Sequence, residues 1–290
     1  MWQIHPILSE NITVDSVYID SHGPNNDGVN PECCTNVLIK NSYFDTGDDC
    51  IAIKSGRNHD GRRIGVPSKN IIVENCRMKD GHGGVSMGSE MSGGIESVYV
   101  RDNVMDSPNL DRVLRIKTNS LRGGYVKDVY FKDIEVGQVS DAVIRINFRY
   151  GIYSSPFAGD FLPEVKNINV ENVNSEKSNW ALYLVGYEAS PITDVTIKNC
   201  RFNGVFKGNR IEHVQNLQAE NFYINDELVE FESDVDQSLT KAAEFHLHEN
   251  YPNPFNPVTN IAYQLPQRML VKLAIYNNAG QKIETLINQK

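Results

Sequence analysis

Short alternations of apolar and polar residues recur along the chain. The phrase is a polar residue, usually Val or Ile, any residue, an apolar residue, any residue, then usually Asn or Asp. It reads NITVDS at 11, NVLIKN at 36, NIIVEN at 70, SVYVRD at 97, DVYFKD at 128, NINVEN at 167, DVTIKN at 194 and, more weakly, NLQAEN at 216. The first apolar positions are Ile12, Val37, Ile71, Val98, Val129, Ile168, Val195 and Leu217, separated by 22 residues (Val195 to Leu217) to 39 residues (Val129 to Ile168). Period-two alternation predicts a strand in each copy. The intervening segments are rich in Gly, Asn, Asp and Ser, which predicts turns and loops.

Repeats of this length, without a helical pattern between them, predict a solenoid of stacked parallel strands. Ser16, Asn41, Asn75, Asp102, Asp133, Asn172, Asn199 and Asn221 fall four residues after each anchor and would stack as a ladder of side-chain hydrogen bonds. Cys76 and Cys200 follow at one phase and suit small core positions. The expected architecture is all-β: a parallel β-helix over 1–231, a polar linker over 232–244, and a tail over 245–290. In the tail, VKLAIYNNAGQKI predicts two strands joined by a turn over 277–280.

Composition narrows the function classes. The 290 residues carry a net charge of −9, which argues against a general nucleic-acid binder but leaves room for a local basic cleft that takes an acidic ligand. No apolar run is long enough to span a bilayer. The five cysteines form no CxxC pair, which speaks against a zinc site and against a dense disulfide framework. One bridge among Cys33, Cys34 and Cys50 remains open.

Candidate chemistry sits in the loops of consecutive repeats. Asp48 lies 11 residues after Val37 and His82 lies 11 after Ile71, so they should neighbour each other on successive coils. Asp27 precedes Asp48 by 21 residues, about one coil. Arg115 and Lys117 are two apart and face one side of a strand. Taken singly, GDD reads as a solvated turn, GHG as a loop histidine and RIK as a charged strand face. Together they place three carboxylates, an imidazole and two cations on successive coils. Glycosidic hydrolysis needs one protonated carboxyl for the leaving oxygen and one ionised carboxylate to activate water. Lys54 and Arg63 are further candidates for a basic lining, and Tyr150 for a sugar contact.

The motifs NNDG at 25–28, GDD at 47–49, GHG at 81–83 and RIK at 115–117, with the longer stretches WQIHP, FDTGDDCIAIKSGRNHDGRRIGVPS and GHGGVSMGSE, resemble the polygalacturonase family of glycoside hydrolases, family 28, in its bacterial branch. The resemblance covers roughly 2–230, with NNDG standing where NTDG is usual. It implies a right-handed coil and inverting, metal-free and cofactor-free hydrolysis of α-1,4 bonds between galacturonic acids. It implies Asp48 as general acid, Asp27 and Asp49 as the acids that position and activate water, His82 as the assisting histidine, and Arg115 and Lys117 as binders of the substrate carboxylate. It also suggests Tyr150 at the sugar. Two other β-helix functions stay open, a pectate lyase and a non-catalytic pectin binder. Directly stacked carboxylates would be about 5 Å apart, nearer the retaining than the inverting separation.

The tail motif NYPNPFNPVTNIAYQLP resembles the C-terminal sorting domain of bacterial type nine secretion, an Ig-like β-sandwich. That resemblance implies a secreted or cell-surface protein that engages the secretion machinery. The expected state is a monomer acting on pectin oligosaccharides. The chain is expected to lack N-terminal coils and to stop inside the tail domain.

Overall fold

The eight anchors stand in one register. Ile12, Val37, Ile71, Val98, Val129, Ile168, Val195 and Leu217 are successive Cα partners across parallel strands. The computed structural model describes residues 2–151 and 158–231 and, beyond them, 246–247, 250, 259, 261, 263–264, 271–277 and 281–289.

Two parallel sheets form the solenoid. The longer one is built on Glu10–Asp15, Thr35–Lys40, Ser68–Glu74, Ile95–Met105, Tyr125–Gln138, Glu164–Lys177, Ile192–Phe202 and Val214–Ile224. The shorter one runs Ile51–Ile53, Val85–Gly88, Arg112–Lys117, Ala142–Asn147, Trp180–Val185 and Asn209–Glu212. Their inward side chains meet in one apolar core, which includes Ile71, Val98, Ile168, Leu114, Ile146 and Leu184. A fully buried Val or Ile contributes about 1.5–3 kcal/mol relative to exposure, so each stacked coil lengthens a continuous core. At the C-terminal end Glu227–Leu228 folds back antiparallel on Val214–Ile224.

The polar residues that frame each phrase have a backbone reason. Asn36, Asn70, Asp128 and Asn167 at its start, and Asn41, Asn75, Asp133 and Asn172 at its end, all have φ between 51 and 57°. Asn and Asp tolerate this left-handed region better than most residues, so they bend the chain into and out of the strand. Their side chains then bond from coil to coil. Asn75 Nδ2 donates to Asn41 at 2.6 Å, Asn172 to Asp133 at 2.8 Å and Asn221 to Asn199 at 3.0 Å. The first rung departs from expectation, because Asn41 donates to Asp15 rather than to Ser16. A second ladder, absent from the sequence reading, joins Asn70 to Asn36 and Asn36 to Asn11.

One further expectation is corrected and one open alternative is closed. A helix, Asn58–Ile64, occupies the basic stretch that reads as loop; at seven residues with Gly61 inside, it shows no amphipathic period. It ends on Gly65 at φ 63°, the left-handed C-cap that glycine favours. All five cysteines are free and buried, so no bridge joins Cys33, Cys34 and Cys50.

The chain divides into two compact units, 1–233 and 234–290. In the second, His246–Leu247 pairs antiparallel with Tyr263–Gln264, and Val271–Tyr276 with Lys282–Gln289. The second pairing is the hairpin expected from VKLAIYNNAGQKI. The linker 232–244 lies outside the described residues. No helix among the described residues is long and apolar enough to cross a membrane.

Candidate active site

The start of the shorter sheet aligns the acidic motifs. Val29 bridges to Ile51, Ile51 pairs with Val85, and Val85 with Leu114. Counting back two residues puts Asp27, Asp49 and Gly83 on one line, and counting back three puts Asp48 beside His82. The expectation for Asp48 and His82 therefore agrees with the register, whereas Asp27 stacks on Asp49 rather than on Asp48. One oxygen from each of Asp27, Asp48 and Asp49 lies within 4.8 Å of the others.

The glycines of GHG are needed for close approach. A Cβ on Gly83 would overlap Ser86 Oγ and sit 3.0 Å from Asp49 Oδ1 and 3.2 Å from Arg115 Cδ. The absent side chain leaves the gap through which Arg115 reaches Asp49. Gly81 has φ of 151°, and a Cβ there would meet the Asp48 carbonyl at 2.7 Å.

Asp49 is fully buried and bonded to both cations. Arg115 Nη1 donates to Oδ1 at 2.8 Å and Lys117 Nζ to Oδ2 at 2.6 Å. Burial raises the carboxyl's pKa, but Lys117 and Arg115 outweigh it and hold Asp49 well below the usual carboxylate range. Asp27 has the opposite fate. Burial and the neighbouring Asp49 charge push it up to about 6, against the one amide of Asn30, which donates to Oδ2 at 2.6 Å. Asp48 is also raised by burial, yet its hydrogen bond with His82 brings it below the ordinary value. The same bond raises His82, which is half exposed. In the free protein, therefore, the carboxyl biased towards its proton is Asp27, while Asp48 shares a proton with His82.

The remaining candidates are placed as follows. Tyr150 presents its ring 5.5 Å from the Arg115 guanidinium carbon and 5.4 Å from Lys117 Nζ. Lys54 is buried beside the acids, but its ammonium donates to Glu90 at 2.9 Å and sits 4.5 Å from the Trp2 ring centroid. Arg63 projects from the short helix into solvent, 3.6 Å from Asp60, and no described contact brings it to the acids. Asn30 and Glu90 were missed by sequence reasoning. Each is recognisable only by what it touches, although Asn30 falls three residues after Asp27, next to the NNDG motif.

Among the described residues, two groups have the donor atoms for a cation. One is the Asp27, Asp48 and Asp49 cluster, and the other is Asp20, His22 and Asp45. In each a protein cation already bonds an acid, Arg115 and Lys117 at Asp49 and Lys79 at Asp45. The site thus combines an acid whose charged form two cations favour, an acid of raised pKa, and an acid tied to an imidazole. That is the equipment for acid–base hydrolysis of an anionic glycan.

Comparison with known proteins agrees. Residues 3–222 match the family model described as glycosyl hydrolases family 28. A Vitis vinifera protein described as a "probable polygalacturonase" is 33% identical over 214 residues, covering 72% of this chain and 43% of its own. The polygalacturonase of Ralstonia solanacearum is 32% identical over 190 residues, covering 62% of this chain and 33% of its own. The crystal structure of an exopolygalacturonase from Thermotoga maritima superposes with a TM-score of 0.75 at 43% identity, covering 79% of this chain and 52% of that one. The exopolygalacturonase of Yersinia enterocolitica shares the fold, with a TM-score of 0.69 at 21% identity over 80% of this chain and 42% of that one. The chain spans less than half the length of these curated relatives. With the family model covering residues 3–222, most of the chain and nearly all of its solenoid, the chain belongs to the glycosyl hydrolases of family 28.

Proposed function

We propose that the protein hydrolyses α-1,4 bonds between galacturonic acid units of pectin by single displacement. The observation that carries this reading is the convergence of Asp27, Asp48 and Asp49 beside Arg115 and Lys117. In this reading Arg115 and Lys117 take the carboxylate of one sugar through charge-assisted hydrogen bonds, with Tyr150 against its ring. Asp48 gives its proton to the glycosidic oxygen as the bond to the anomeric carbon breaks, and His82 returns a proton to Asp48. Water attacks the anomeric carbon and passes its proton to ionised Asp27, whose raised basicity suits that role, while Asp49 holds the cations in place. Lys54 supports the floor through Glu90, and Arg63 extends the basic surface.

The carboxylate oxygens are closer than the separation usual for inversion. The argument for inversion is that Asp49, neutralised by two cations, is a weak nucleophile. The test is incubation with polygalacturonic acid. New reducing ends of inverted configuration in proton NMR, without an ultraviolet-absorbing product and without sensitivity to chelators, are expected. An unsaturated product would instead establish a lyase, and binding without turnover a pectin-binding module.

The tail reading extends this to location. Residues 245–290 direct the protein to the cell exterior through type nine secretion, a reading supported by the motif NYPNPFNPVTNIAYQLP and by the antiparallel pairing after it. In a bacterium with that machinery, removing 245–290 should retain the protein inside the cell; unchanged export would refute the assignment.

A further inference from the structure

Arg115 is one rung of a longer row. Its Cα partner on the next coil is Arg145, whose partner is Tyr183, whose partner is Arg210. Residues aligned across adjacent parallel strands share a face. Leu114, Ile116, Ile144, Ile146, Leu182 and Leu184 alternate with them and are buried in the core. Arg145, Tyr183 and Arg210 therefore leave the solenoid on the face that carries Arg115. At strand spacing of about 4.8 Å, the row extends roughly 14 Å from Arg115 towards the C-terminal coils.

The row is preorganised and electropositive. The guanidinium carbons of Arg145 and Arg210 lie 3.8 Å and 5.1 Å from the Tyr183 ring centroid. A guanidinium over a ring face can still donate in its own plane, although Nε and Nη2 of Arg210 already meet Glu212 Oε1 at 2.8 and 2.7 Å. Arg145 bonds Asp141 through Nη1, at 3.2 and 2.9 Å, and Asp141 also accepts from Arg112 at 2.6 Å. Glu212 accepts from Arg210 at 2.8 Å and lies 3.1 Å from Arg149 Nη2. Arg112 further bonds Asp111 at 2.9 Å. Four guanidiniums thus share three carboxylates, in a protein whose net charge is −9.

This arrangement works against folding. Like charges directly opposite one another in a sheet are destabilising, and Arg115 stands opposite Arg145. Burial, with Arg112 and Arg115 nearby, disfavours the charged form of Arg145 despite Asp141. An anion lying along the row relieves that cost.

We propose that Arg145 and Arg210, held by Tyr183, form a second carboxylate-binding position for a uronic-acid polymer, beside the one at Arg115 and Lys117. It rests on the reading of the site as one that takes polygalacturonate. The row makes the protein sensitive to the length of the anionic chain on its C-terminal side.

The experiment compares kcat/KM on galacturonate oligomers of two to six units for the wild type, Arg145→Gln and the more exposed Arg210→Gln, each checked for its thermal melt. The ratio of hexamer to dimer kcat/KM should fall roughly tenfold in the variants, the loss of one charge-assisted contact. Arg145→Lys should recover part of that ratio, since charge remains but the fork is lost. An unchanged ratio, or equal loss on both oligomers, overturns the proposal. A wild-type protein that cleaves no oligomer overturns the hydrolase reading alone. Calorimetric titration of the hexamer then decides on the row: weaker binding by the variants upholds it, and equal binding removes it.

Discussion

Asp48 Oδ1 lies 3.2 Å from His82 Nδ1 and also accepts the backbone N–H of Asp49 at 2.9 Å. Two coils thereby join their titrations, because the bond that lowers Asp48 is the bond that raises His82. The pair holds one proton over a wider range than a lone carboxyl would.

In the proposed hydrolysis, Asp27 and the Asp48–His82 pair together should make the rate a bell-shaped function of pH. The acidic limb follows Asp27 near pH 6, which must lose its proton to accept one from water. The alkaline limb lies above the ordinary histidine value, where the Asp48–His82 pair loses its proton. His82→Gln should shift the alkaline limb to lower pH, towards that of an unassisted carboxyl, and lower kcat by about 10²-fold or more. A limb that does not move in the kcat/KM profile would remove His82 from proton supply.

Asp27→Asn should abolish turnover and stabilise the fold at neutral pH. The folded pKa of Asp27, about 6, lies above its unfolded value near 3.8, so its stability contribution is full below pH 3.8 and is lost as pH rises through 6. The asparagine variant avoids that loss and can also donate to Asn30 Oδ1, a buried oxygen without a hydrogen-bond partner. Urea denaturation should show a gain of roughly 1–2 kcal/mol at pH 7 and none near pH 4, allowing for partial solvent contact. Equal stability at pH 7 would refute the raised value.

Asp49→Asn removes the shared partner of two buried cations. Leaving Arg115 and Lys117 unpaired should cost about 3–5 kcal/mol, together with turnover. A denaturation midpoint equal to the wild type would show that water replaces the carboxylate.

Gly83→Ala places a methyl group 3.0 Å from Asp49 Oδ1. Ser86 Oγ, which that methyl would overlap, must turn away, and the acid and Arg115 must give by a few tenths of an ångström, which should lower kcat by roughly 10²-fold. The expected signature is a larger loss in kcat than in the thermal midpoint; full activity would show that the gap is not needed.

Glu90→Gln tests the wall around Lys54. Burial raises the Glu90 carboxyl, but Lys54 outweighs it and holds the folded pKa at about 2, below its unfolded value near 4.5. Its contribution is present above pH 4.5 and is lost as pH falls towards 2. The glutamine variant should be less stable at pH 6 and show a shallower acid loss between pH 4.5 and 2. Parallel wild-type and variant curves would contradict the pairing.

The repeats were legible because a strand's period of two is a local property, and stacking turns eight local phrases into one register. Asp48 and His82 were legible for the same reason, since both lie 11 residues after their anchors, whereas Asp27 and Arg115, 15 and 17 residues after theirs, were legible through their motifs. The helix Asn58–Ile64 was not, because seven residues around Gly61 carry no period. Nor was the second amide ladder, because Asn36 and Asn70 reveal their role only through a left-handed φ.

The sequence by itself determined the solenoid, the register of its anchors and the set of acids, imidazole and cations that meet on it. Only the tertiary structure decided which acid holds a proton. Asp49 meets Arg115 and Lys117 from 66 and 68 residues away, whereas the carboxyl of Asp27, on the neighbouring coil, is buried against the neutral amide of Asn30. Charge interactions depend on distance and on burial, and neither is written in residue order.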